Sequence, residues 1–160
     1  MELFPKLYFS YSQFFIYDEG LDSPACKWTE AHSRQGFARR QQAIAVGTLL
    51  EFGDASVHVQ FGDLAPLEEF ERVIAIPLEI RSGRVCVDGP EEHPADRSFP
   101  VSPGLYRVAI GQKVVEDQHE EVVIALEKLT VPMSNSEILV ADRALDPPVP
   151  LIEDAERPEP

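Results

Sequence analysis

Apolar residues along this chain recur mostly with a period of two. In "ASVHVQF" (Ala55–Phe61), Val57, Val59 and Phe61 fall on one side and Ser56, His58 and Gln60 on the other. That alternation marks a half-buried strand. "VIAIPLEI" (Val73–Ile80) repeats it with Ile74, Ile76, Leu78 and Ile80, and Pro77 inside the run points to an edge strand or a bulge. The turn Arg81–Arg84 leads into Val85–Val87, which predicts a hairpin. Tyr106, Val108, Ile110 and Val114 share one face of "LYRVAIGQKVV". Val122–Val131 is nearly all apolar and is expected at the centre of a sheet. Ala43–Leu50, Ser98–Val101 and Ser136–Ala141 complete the set of strands.

The first segment, "LYFSYSQFFIYDEG" from Leu7, breaks the rule. Its odd positions are apolar as far as Tyr11; then Phe14 and Ile16 make the even side apolar as well. One strand, Leu7–Tyr17, is predicted, which either starts with one buried face and ends with two or shifts phase at a bulge near Ser12 and Gln13. Its second half is then covered on both sides, by the segment holding Trp28. A single helix is expected, with Thr29 as N-cap and Gly36 as its stop. Prolines number 14 in 160 residues, well above the usual ~5%, which favours short strands and loops. The pattern gives an all-β fold: an antiparallel β-sandwich of about eight strands with one short helix near residues 29–36, in one domain over residues 1–143. "DPPVPLIEDAERPEP", from Asp146, has five prolines and no period, so residues 144–160 are expected to form a disordered or loosely attached tail.

Charge changes the picture more than composition does. The formal net charge is −14, a surface that repels nucleic acid and anionic membranes and attracts cationic proteins. No apolar run approaches the ~18 residues of a membrane span, and the start of the chain lacks the apolar stretch of a secretory signal. The two cysteines, Cys26 and Cys86, fit a reducing compartment, so a cytoplasmic location is expected; they are able to pair but are not a disulfide framework. His32, His58, His93 and His119 lack metal-ligand spacing, and the sequence carries no nucleophile elbow, P-loop or dinucleotide fingerprint. No catalytic residue, metal or cofactor is expected. Trp28, the only tryptophan, is read as closing the core.

If consecutive strands pair antiparallel, the turns Glu51–Asp54, Arg81–Arg84 and Ser102–Gly104 lie at one end of the sandwich. The loops Gly62–Glu71, Asp88–Arg97 and Glu116–Glu121 then share the other. Those loops hold Asp63, Glu68, Glu69 and Glu71; Asp88, Glu91, Glu92 and Asp96; and Glu116, Asp117, Glu120 and Glu121, against the single cation Arg97. These twelve carboxylates are the candidate partner-binding residues, since a concentrated pole of one sign suits a cationic protein. Two other readings compete: a sandwich whose aromatic face (Tyr11, Phe15, Tyr17, Trp28) binds a carbohydrate-like ligand, and an enzyme with two carboxylates facing each other in a pocket.

"SYSQFFIYD", then "KWTEAHSRQGFA", "VHVQF", "VIAIPLEIRSGRVCVDG" and "FPVSPGLYRVAI", in that order, resemble the competence protein J family. The residues that carry the likeness are Ser10, Tyr11, Gln13 and Phe14; Trp28 and Thr29; Gly36, Phe37 and Ala38; and Pro103, Gly104, Tyr106 and Val108. It covers roughly residues 7–130, and the segment after Val131 extends beyond the usual family end. The resemblance implies a bacterial cytosolic protein that binds and inhibits the nuclease of DNA uptake in competence. An immunity-type partner for a toxin nuclease is the variant of that role. No inhibitory residues come with the resemblance; the acidic loops are nominated from charge alone.

Overall fold

The computed structural model describes residues 2–8, 13–51, 53–89 and 98–158. Eleven strands among them form two sheets. In chain order the elements are β1 (Glu2–Tyr8), β2 (Gln13–Asp18), α1 (Glu30–Gln35), β3 (Phe37–Arg40), β4 (Ala43–Gly47), β5 (Asp54–Phe61), a 3-10 turn (Leu67–Glu69), β6 (Arg72–Ile80), β7 (Arg84–Asp88), β8 (Ser98–Pro100), β9 (Gly104–Glu116), β10 (His119–Lys128) and β11 (Glu137–Val140). The first sheet has the order β1-β5-β10-β9-β6-β11 and the second β3-β4-β2-β7-β8. All neighbours are antiparallel except β5 and β10, which run parallel. The all-β sandwich expected from the period-two pattern is therefore present, with a mixed first sheet.

The core lies between the sheets. Ile74, Ile76, Leu78 and Ile80 meet Val108, Ile110, Val122 and Ile124 from the first sheet and Phe14, Ile16, Ile44 and Val87 from the second. Each such side chain contributes on the order of 2 kcal/mol by leaving water. β10 is interior to its sheet, as its nearly unbroken apolar run requires.

Three differences from the sequence reading have physical causes. The segment read as one bent strand is two strands in different sheets: β1 pairs with β5, whereas β2 pairs with β4 and β7. β2 is buried on both faces as expected, because Phe14 and Ile16 enter the core while Phe15 and Tyr17 pack beneath Trp28, Cys26 and Ala155 on the outer side. Likewise β6 and β7 are not a hairpin. The Arg81–Arg84 turn is an arch between sheets, held by the buried Asp18 carboxylate, which accepts from Arg81 N at 2.6 Å, Ser82 N at 3.2 Å and Gly20 N at 3.0 Å. Pro77 lies on β6 beyond the reach of β11, whose register stops at Ala75, so its missing N–H leaves no ladder bond unmade.

The third difference is the C-terminal segment. Instead of a loose tail, residues 145–156 lie against α1 and the second sheet. Gln35, fully buried, donates to Ile152 O and accepts from Ile152 N. His32 Nε2 meets Asp154 O at 2.9 Å, Arg39 donates to Glu153 O, and Lys27 N donates to Glu156 O. Prolines deprive this stretch of a strand or helix, and its backbone groups are satisfied by side chains of α1 and β3 instead. α1 itself starts and stops where expected: Thr29 accepts from His32 N, and Gly36 closes the helix at φ 85°. No helix among the described residues is long and apolar enough to cross a membrane.

Candidate functional site

The register fixes which loops share an end. β9 runs from Gly104, opposite Ile80, to Glu116, opposite His119. The β9–β10 turn is therefore at the end where β6 begins, and the Arg81–Arg84 arch is at the other. Because β5 is parallel to β10, Asp54 sits beside His119, at the hairpin end. This corrects the expected grouping: Glu51–Asp54 joins the Glu116–Glu121 turn instead of opposing it. The assumption that failed was that β5 and β6 pair. The β9–β10 hairpin lies between them, and residues 62–71 cross the full height of the sheet on its outer face, where Leu64 and Phe70 pack on Val73, Ala109 and Ala125.

The twelve nominated carboxylates consequently separate. Glu71, Glu116, Asp117 and Glu121 stand at the hairpin end; Glu71 accepts from Val114 N at 2.7 Å. Asp63 is at the arch end, beside Glu127, and its proximity holds the Glu127 carboxyl above its usual range. Glu68 and Glu69 are exposed on the 3-10 turn over the outer face. Asp88 and Glu120 are buried and face the interior of the protein instead of a partner. Asp88 accepts from the Tyr17 hydroxyl at 2.8 Å; burial, with Asp88 alongside, pushes that phenol far up. Glu91, Glu92 and Asp96 lie outside the described residues, as does Tyr11.

Two turns are clamped together at the hairpin end. Asp54 N donates to Gln118 O at 2.9 Å, and His119 Nδ1 lies 2.6 Å from Asp54 Oδ1 while its Nε2 lies 3.1 Å from Ser56 Oγ. Gly53 permits this approach: its φ is +139°, and a Cβ there would fall 2.3 Å from Gln118 O. Exposed Val114 and Val115 flank the carboxylates of the hairpin. None of Glu116, Asp117 and Glu121 is ion-paired to a described cation, whereas at the arch end Arg81 pairs with Glu79 at 2.7 Å and Arg84 with Glu19 at 2.9 Å.

Behind this surface lies a polar cluster that the sequence reading missed. Gln112 Nε2 donates to Glu120 Oε1 at 2.8 Å and Gly47 O at 3.0 Å; Leu49 N donates to Glu120 Oε2 at 3.1 Å. Arg72 donates through Nε and Nη2 to both oxygens of Asp142. Burial raises the Glu120 carboxyl above its usual range, and the hydrogen bonds from Gln112 and Leu49 only partly oppose it. For Asp142 burial raises the carboxyl, but the Arg72 guanidinium together with backbone N–H groups of Asp142 and Ala144 outweighs it and lowers the carboxyl. A signal was available: Arg72, Gln112 and Glu120 each occupy the inward phase of an apolar strand, where a polar side chain needs a partner.

The aromatic face proposed for a carbohydrate-like ligand is closed. Phe15 and Tyr17 are buried, and Trp28 donates Nε1 to Gln13 Oε1 at 2.9 Å while packing on their cluster. Trp28 does border a cleft of about 490 Å³ with Gln13, Ser33, Thr48, Arg72 and Ala144. No three His, Cys, Asp or Glu side chains converge as a metal site among the described residues.

These features define a two-sheet all-β sandwich whose hairpin end carries Glu71, Glu116, Asp117 and Glu121, with Lys113 opposite Glu121. The model of the competence protein J family matches residues 6–131, and the chain belongs to that family. Among solved structures it is similar to ComJ, inhibitor of the DNA degrading activity of NucA, from Bacillus subtilis, with TM-score 0.70 and 15% identity over 81% of this chain and 96% of that one. A second similar structure, the crocagin biosynthetic gene J product, has TM-score 0.51 and 17% identity over 80% of this chain and 99% of that one. No curated protein matches the chain. β11 and the segment laced to α1 lie beyond the family-matched residues.

Proposed function

We propose that this chain is a stoichiometric nuclease inhibitor, acting in the cytoplasm without catalysis of its own, and that it docks a nuclease with a basic site through its hairpin end. The observation that carries the reading is membership of the competence protein J family over residues 6–131. The relative of the same fold is an inhibitor of the DNA degrading activity of NucA. Charge supports the docking face. Glu71, Glu116, Asp117 and Glu121 are where a nuclease groove shaped for phosphates meets carboxylates instead, and Val114 and Val115 add apolar area at the centre. Asp88 and Glu120, being buried, do not belong to that face.

The test is a titration of the host's NucA-type nuclease with the purified chain, reading cleavage of linear DNA. Activity falls in proportion to added chain and vanishes near one equivalent. A nuclease unaffected by a tenfold excess of chain ends the reading. Against a toxin nuclease in place of the uptake nuclease, the same result assigns the immunity-type role.

A further inference from the structure

We propose that the cleft between α1 and the ends of β2 and β4 binds a sugar ring. The cleft, about 490 Å³, falls in the size range of small-molecule sites, roughly 300–1,000 Å³. One wall is the Trp28 indole, held in place by its bond to Gln13 Oε1 and by the edge of His32, whose ring lies 6.4 Å away at 78°. Taking that bond through its oxygen leaves the Gln13 amide nitrogen as a donor beside the ring. The Ser33 hydroxyl, on an exposed position of α1, has no described partner either. Thr48 gives its hydroxyl proton to Leu50 O and keeps its lone pairs for a ligand. Arg72 Nη1 is held only by a 3.4 Å bond to Gly47 O.

The charge state selects the ligand class. Asp142 binds Arg72 through both carboxylate oxygens and neutralises it, so no net positive charge is left for a phosphate or carboxylate. The −14 of the whole chain works against anions further. An apolar ligand would strand Gln13, Ser33 and Arg72 without partners. A pyranose satisfies both demands: its C–H face packs on the indole, and its hydroxyls both donate and accept. Ala144, which completes the cleft, and Asp142, which fixes its guanidinium, lie outside the family-matched residues 6–131, so this chain's extension closes a cleft otherwise lined by family-matched residues.

Trp28 is the only tryptophan, so its emission reports occupancy directly. The full chain is titrated with glucose, galactose, mannose and N-acetylglucosamine, with uridine and inorganic phosphate in parallel, and ligand-observed NMR as a second readout. At least one sugar gives a saturable emission shift in the millimolar range or tighter. Ala144→Phe and Ser33→Tyr, both at exposed positions, fill the cleft; the response drops at least tenfold in whichever melts like the parent chain. No saturable response to any sugar by either readout overturns the proposal. So does a response undiminished by both fillings, or binding of uridine or phosphate with the sugars silent.

Discussion

The two ends of the sandwich use their carboxylates differently. At the arch end Asp18, Glu19 and Glu79 are committed to the fold, while Asp63 and Glu127 face each other there. Asp18 braces the crossing between sheets, Glu19 and Glu79 are paired to Arg84 and Arg81, and Arg84 is further tied to Ser98. At the hairpin end one carboxylate, Glu120, is consumed by an internal network, while Glu116, Asp117 and Glu121 have no ion pair with a described cation. Self-repulsion there costs stability, while the arch end recovers it locally. The contrast separates charge that holds the protein together from charge available to a partner.

The largest expected effect comes from exchanging the sign of that available charge. Replacing Glu71, Glu116, Asp117 and Glu121 with lysine weakens nuclease inhibition by ~100-fold or more, while Glu19→Lys with Glu79→Lys leaves it within about threefold. DNA-cleavage titrations of the two variants read the difference. Equal losses would erase the distinction between the ends.

Asp18→Asn acts on the other side of the comparison. Burial alone would raise the Asp18 carboxyl, but hydrogen bonds from Ser82, Gly20, Arg81 and Gln42 outweigh it and lower it from 3.8 to about 2. A depressed folded value means stability that is fully present above the unfolded value and lost as pH falls toward about 2. The variant loses about 3 kcal/mol at neutral pH by urea unfolding, loses less in acid, and inhibits the nuclease as before. Gly53→Ala does both kinds of damage: the new Cβ meets Gln118 O, the two turns separate, and about 2 kcal/mol of stability is lost along with part of the inhibition.

Glu120→Gln is the smallest. Burial raises this carboxyl, so the native state holds its proton over a pH range where the unfolded chain has released it. Stability therefore declines as pH rises through that range, and the neutral variant does not share the decline. Unfolding midpoints of the two proteins agree within about 1 kcal/mol in acid and diverge in favour of glutamine above the ordinary carboxylate range. Divergence in the opposite sense would mean the charged form is what the network stabilises.

Strand identities were legible because alternation reports burial one residue at a time: Val57, Val59, Ile74, Ile76, Val108 and Ile110 all face the core as read. The helix was legible from Thr29 and Gly36 because caps are local. Pairing was not. Nothing in residues 62–71 declares that they cross a sheet instead of turning, since a ten-residue loop suits either path; the burial of Leu64 and Phe70 was the available hint. The arch at Arg81–Arg84 looked like a hairpin because its anchor, Asp18, is 63 residues away. The C-terminal segment looked disordered because its partners, His32, Gln35 and Arg39, satisfy backbone groups without needing periodicity in residues 145–156. Of the twelve nominated carboxylates, Glu71, Glu116, Asp117 and Glu121 share the hairpin end, and both that grouping and the burial of Asp88 and Glu120 required the register.

The most direct measurement is amide hydrogen exchange of the chain, alone and bound to the host's NucA-type nuclease. The account predicts new protection in residues 48–54 and 113–121 and unchanged exchange in residues 79–84 and 102–106. Protection confined to the second pair would place the nuclease at the arch end and contradict it.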